Sequence, residues 1–181
     1  MENAKSPWPY AIRFGIILGL ISIVITLISY FIFPVDPETL KPKNGWIQTV
    51  VGLLANFTLI YIGTKAYRDE ELEGNISYSK SVGFAFYMSL PYAILTAVYT
   101  FIFFKFIDPS MIENIAKLQY NKMAEQGMGN EQIQQSLGVM TYMNNPAMYA
   151  LLSIFGCIIY SVIIGLITSI FTKKVPDSQF E

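Results

Sequence analysis

Any chemistry in this chain has to be done without histidine, which is absent, and with a single cysteine, Cys157. The first absence removes the commonest general base and the commonest metal ligand. One cysteine allows no intramolecular disulfide. Cys157 sits inside the apolar run "LLSIFGCIIYSVIIGL", where a thiol stays protonated and inert. The acidic residues Asp69, Glu70, Glu71 and Glu73 cluster in "YRDEELEG", and such a run reads as a solvated face rather than a metal site. Six of the eight methionines lie between Met111 and Met148. Thioether sulfur suits Cu(I), but without histidine or a tight methionine repeat these residues read as an adaptable packing surface. The expectation is a protein that is not an enzyme and needs no cofactor or metal.

The elements that position these residues are set by apolarity. The chain has 181 residues, 53 % hydrophobic and 14 % charged, against about 25 % charged in soluble domains. A helix needs roughly 20 apolar residues to cross a bilayer, and four segments qualify: 10–33, 46–67, 81–107 and 147–172. The first is longer than the apolar region of a signal peptide and is followed by "FIFPVDPETL", with no small-x-small site; it reads as a retained helix. A net charge of −1 argues against nucleic acid as a partner. The fold class is therefore all-α, one integral membrane four-helix bundle over 1–181 whose first partner is the lipid bilayer.

Flanking cations set the orientation. With the N-terminus inside, Lys5, Arg13, Lys65, Arg68, Lys80, Lys173 and Lys174 are inside, and Lys41, Lys43, Lys105, Lys117 and Lys122 are outside. This excess places both termini in the cytoplasm.

Within the spans, "GIILG" puts Gly15 and Gly19 on one helix face, and Ser161, Gly165 and Ser169 repeat the spacing in the fourth span. Small residues let lipid-embedded helices approach closely, so these are expected helix-packing positions. Pro91 predicts a kink in the third span. Asn56 is strongly polar in mid-span and is expected to bond to a neighbouring helix; with Tyr87, Tyr92 and Tyr99 it forms a candidate polar lining.

Between the third and fourth spans, 108–146 form an amphipathic segment. Asp108-Pro109 starts a helix, and Met111, Ile115 and Leu118 follow a helical step. "EQGMGN" stops it. Asn130 is placed to cap a second helix in which Ile133, Leu137 and Met140 share a face. The reading is an extracytoplasmic helical hairpin whose two apolar faces are a candidate interaction surface for another membrane protein, a second copy or lipid.

Two local patterns, the loop "YRDEELEGNISYSKSVGFAF" and "FIDPSMIENI", resemble the bacterial integral-membrane proteins of domain of unknown function 4199. Tyr67-Arg68, Gly74, Ile76-Ser77 and Phe84 are similar to that family's pattern before its third helix, and Asp108-Pro109 to its pattern after the third span. The resemblance implies four transmembrane helices in the inner membrane of Gram-negative bacteria and no established activity. The functional expectation is an accessory or interaction subunit binding another membrane protein. The alternative is a small transporter or lipid/small-molecule binding protein acting as an oligomer.

Overall fold

The computed structural model describes residues 6–36, 39–40, 42–43 and 45–174, with the side chains of 134, 137 and 139–143 outside that description. Four long helices pack together: α1 (Trp8–Ile32), α2 (Gly45–Glu71), α3 (Tyr78–Ile102) and, after the hairpin helices α4 (Ser110–Glu125) and α5 (Asn130–Met143), α6 (Pro146–Thr172). All four are long and apolar enough to cross a membrane. The expected all-α bundle, with short helices between the third and fourth spans, is the fold observed.

Local chemistry explains the helix ends. Phe33 is extended ahead of Pro34, with φ −100° and ψ 122°, the conformation a following proline enforces. The acidic run was expected to lie beyond α2, but the helix continues past Arg68 to Glu71. It stops where Glu73 and Gly74 take φ +52° and +82°. Ser77 caps α3 by accepting the Lys80 N–H at 3.3 Å. Asn145 caps α6 by accepting the Met148 N–H at 3.0 Å, with Pro146 in the first turn, where a missing donor costs nothing. Pro91 lies inside α3, which runs unbroken to Ile102 and ends in one π-helical turn, Phe103–Ile107.

α3 packs mainly on α6 and α1, while α2 packs on α1 and α6 and little on α3; α2 and α3 are thus diagonal. Packing is uneven along the bundle. The buried residues of α2 are Asn56, Ile60, Gly63, Thr64 and Tyr67, and those of α6 run from Ser161 to Thr172. Both sets lie in the halves nearest the α2–α3 loop and the end of α6. There Phe84 stacks on Tyr67 at 5.4 Å in a core with Ala11, Leu18, Ile60, Ala85, Met88 and Ile164. Toward the hairpin, α2 before Asn56 and α6 before Ser161 bury nothing. The bundle is closed at one end and open at the other.

Small residues produce the closed end. A methyl group on Gly15 would stand 2.5 Å from the Met88 carbonyl oxygen and 2.5 Å from Cγ of Pro91; one on Gly19 would stand 2.9 Å from Leu95 Cδ1. Gly165 meets the Ala85 side chain in the same way. Gly15, Gly19 and Gly165 all face α3. Ser161 and Ser169 are buried beside Gly165 on α6.

Candidate functional site

The open half leaves an open cleft of about 420 Å³ between α1 and α2, lined by both polar and apolar groups. On α1, Ser22 and Thr26 stand one turn apart, and on α2 Gln48, Gly52 and Asn56 repeat that step; Thr49, Tyr92 and Tyr160 complete the polar lining. Gln48 ties the two helices: its Oε1 accepts from Ser29 Oγ at 3.0 Å and its Nε2 donates to Thr26 Oγ1 at 3.4 Å. Asn56 lies at the deep end, 2 % exposed. It donates through Nδ2 to the Gly52 carbonyl at 3.1 Å, within its own helix, and stands beside the Tyr92 hydroxyl of α3. Where α2 stands off, that carbonyl one turn earlier is the acceptor within reach. Asn56 Oδ1 has no hydrogen-bond partner. The Tyr92 hydroxyl sits among Ser22, Asn56 and Cys157.

Of the four residues expected to form a polar lining, the fold brings Asn56 and Tyr92 together and leaves the other two apart. Tyr87 is exposed and meets Trp8 edge-on at 5.3 Å. Tyr99 lies toward the hairpin, 5.8 Å from the Phe103 ring. Helical geometry is the reason: Tyr87 is about 140° around α3 from Tyr92, and Tyr99 is on the same face but about 10 Å along it. Sequence reasoning missed Ser22, Thr26, Gln48, Thr49, Gly52 and Tyr160. The available signal was the four-residue step of polar and small positions in the two first spans.

The hairpin begins at Asp108, whose carboxylate accepts from Ser110 Oγ at 2.6 Å, the Met111 N–H at 3.2 Å and the Tyr30 hydroxyl at 2.9 Å. Asp108 therefore fastens α4 to the end of α1. The Ser110 hydroxyl above all, with Tyr30 and the backbone N–H groups, holds this carboxyl below the usual aspartate range, against an opposing contribution from burial. A lowered folded pKa contributes stability that is present above the unfolded value, about 4, and is lost as pH falls through the folded one. Asp108→Ala should thus lower the protection factors of α4 amides at neutral pH by an amount corresponding to about 1 kcal/mol, the worth of a cap. The gap to wild type should close below about pH 4; a gap unchanged at low pH would show that the carboxylate's charge does not hold α4.

α4 has no buried residue, and α5 packs on α4. Of the expected interaction face, Met111, Ile115 and Leu118 are half-buried, and Ile133 is 1 % exposed; the side chains of Leu137 and Met140 lie outside the described residues. Part of this face is thus spent inside the hairpin. Between α4 and the α1–α2 connection runs a groove of about 860 Å³, lined by Val35, Leu40, Asn114, Lys117, Leu118 and Lys122 among others.

Among the described residues, no group of three or more His, Cys, Asp or Glu converges as a metal site would. In the acidic cluster, Glu70 and Glu71 accept from the Tyr10 hydroxyl at 2.7 and 3.4 Å, and Asp69 pairs with Arg68 at 2.7 Å.

Set against known proteins, the chain matches the family described as protein of unknown function (DUF4199) over residues 13–174. It therefore belongs to that family. No curated protein and no solved structure matches it.

Proposed function

We propose that this DUF4199 protein is a non-enzymatic component of the inner membrane of a bacterium, with cytoplasmic termini, and that it works by docking another membrane protein against its extracytoplasmic hairpin. The observation that carries the reading is α4: sixteen residues of amphipathic helix with no buried residue, overhanging an 860 Å³ groove. A helix that adds nothing to the core is not there for the bundle's own stability. Its half-buried Met111, Ile115 and Leu118 provide apolar anchors, and its Lys117, Lys122 and Glu125 supply a polar rim, the usual arrangement of an interface.

The test is affinity purification of the tagged full-length protein in mild detergent. Ile115→Glu and Leu118→Glu should each weaken recovery of a stoichiometric partner at least tenfold, about 1.4 kcal/mol, because a charge would be desolvated without a counter-ion. Glu113→Lys, on the exposed side of α4, should not. Full association of all three variants would rule out the hairpin as the interface.

A second reading, that of a lipid- or small-molecule-binding protein acting as an oligomer, is favoured by the cleft that Ser22, Thr26, Gln48, Asn56 and Tyr92 line.

A further inference from the structure

We propose that the trough between α4 and the α1–α2 connection holds a singly charged anionic phospholipid of the phosphatidylglycerol kind, with its phosphate at Lys117 and Lys122 and one acyl chain against Phe31, Ile32 and Met111. The inference goes beyond the protein partner proposed above and does not depend on it.

Two hollows make up the trough. One, of about 580 Å³, starts at the end of α1 and is walled by Tyr30, Phe31, Ile32, Phe33 and Met111. The other, of about 860 Å³, carries Lys117, Asn121, Lys122 and Glu125. Val35, Leu40 and Asn114 line both, so the two are continuous. The trough is therefore graded, apolar and aromatic at one end and cationic at the other. Met111 and Lys122 are roughly 16 Å apart along α4, which leaves room for a headgroup and part of one chain. An amphiphile matches both ends; a free inorganic anion uses only one.

The apolar end opens toward the bilayer. Phe31 and Ile32 are 72 % and 64 % exposed in the last turn of a helix long and apolar enough to span it. At the same end of the bundle, the exposed Trp46 begins α2, and Lys105 lies over the Phe101 and Phe106 rings at 5.2 and 5.4 Å. Interfacial aromatics and snorkelling lysines mark the headgroup level of a membrane, so the trough opens where lipid phosphates lie. A chain wedged there covers the side of α4 that the rest of the protein leaves without a buried residue.

Charge selects the head. Lys117 and Lys122 are exposed, and neither is ion-paired among the described residues. Asp108, at the apolar end, already accepts from three donors and its charge keeps an anion toward the lysines. Glu125 offsets one of the two lysines, which leaves a single net positive charge at that end. A phosphate diester with an uncharged terminal group neutralises it, as basic pockets beside membrane spans do with anionic lipids. A zwitterionic head brings no net charge to do so. The Asn114 and Asn121 amides add donors for the phosphate oxygens.

The experiment uses the purified full chain, without a partner, in phosphatidylcholine vesicles containing a trace of phosphatidylglycerol with a photoactivatable group on one acyl chain. Mass spectrometry locates the labelled residues, which should concentrate in 30–35 and 111–114. Unlabelled dioleoylphosphatidylglycerol should displace the label, and dioleoylphosphatidylethanolamine should compete at least tenfold less well. Inorganic phosphate should leave it in place. Lys117→Gln combined with Lys122→Gln should reduce the displaceable label at least tenfold without lowering the melting temperature, since both side chains are exposed. Lys105→Gln, at the same membrane level but outside the trough, should leave it intact. An equal loss in Lys105→Gln would reduce the effect to general surface charge and overturn the site. Equal competition by phosphatidylethanolamine overturns the choice of an anionic head, and displacement by inorganic phosphate makes the occupant a soluble anion. No displaceable label in the trough overturns the lipid and leaves the groove to a protein, whose recovery is read separately in the Ile115→Glu variant.

Discussion

Gly15→Val should lower the melting temperature of the bundle more than any other substitution at its small-residue positions. The added carbon atoms would be driven into the Met88 carbonyl oxygen and the Pro91 ring, each 2.5 Å from the position of the first methyl. Neither can swing away: one is helix backbone and the other is a ring closed onto it. Overpacking costs about 1–3 kcal/mol where side chains can adjust, so about 3 kcal/mol or more is expected here. Gly19→Val should cost less, because its obstacle is the flexible Leu95 side chain at 2.9 Å. Gly52→Ala, with open space around it, should cost nothing. The half-buried Cys157, the chain's one thiol, supplies the readout: a thiol-reactive dye reports its exposure as the detergent-solubilised protein is heated. The expected order of melting temperatures is Gly52→Ala, then Gly19→Val, then Gly15→Val. Equal values for the first and last would mean that close approach of α1 to α3 does not hold the helices together.

That prediction rests on a feature legible in the sequence. Lipid tails are as apolar as leucine, so membrane helices associate through close packing rather than by escape from water, and a four-residue repeat of small side chains marks where that occurs. Gly15 and Gly19 could be read in this way from "GIILG", and Gly165 from its spacing with Ser161 and Ser169. The spans were legible for a related reason: bilayer thickness sets a length that a hydrophobic count detects. The hidden part was which helix each face meets and how far the packing extends. The stand-off of α2 before Asn56 depends on its diagonal placement relative to α3, a property of four helices at once. Without it, nothing in the sequence joined Asn56 to Gln48, Ser22 and Thr26 as the lining of one cleft. The cleft is what four partly legible helices leave between them.

The hairpin shows a different limit. Its amphipathic period was visible, but periodicity gives a face and not the face's partner. The fold spends Ile133 within the hairpin while leaving α4 without a buried residue, so the two arms, similar in sequence pattern, differ in what they have to offer another surface.

Arg68→Met should open the closed end of the bundle locally, with an effect second only to Gly15→Val. The last carbonyls of α6 have no partner within their own helix. Arg68 Nη1 donates to that of Thr172 at 3.0 Å, reaching across from α2. One step further, Ile76 and Lys174 exchange two backbone hydrogen bonds, at 2.8 and 2.9 Å, and the buried Ser81 and Thr172 hydroxyls meet at 2.7 Å. These bonds join α2, the α2–α3 loop, the start of α3 and the end of α6. The guanidinium supplies the charged donor, and a hydrogen bond from a charged group is worth about 1.5–3 kcal/mol. Its ion pair with Asp69, whose side chain is 43 % exposed, adds little, as exposed pairs do. Methionine keeps the stem's packing and removes only the donor, so the lost stability, about 2 kcal/mol, isolates the cap. Hydrogen exchange at the Ile76 and Lys174 amides is the direct measurement. Both should lose protection in Arg68→Met and keep it in Asp69→Asn; unchanged protection in the first would mean that the Ile76–Lys174 bridge and the Ser81–Thr172 pair close this end without Arg68.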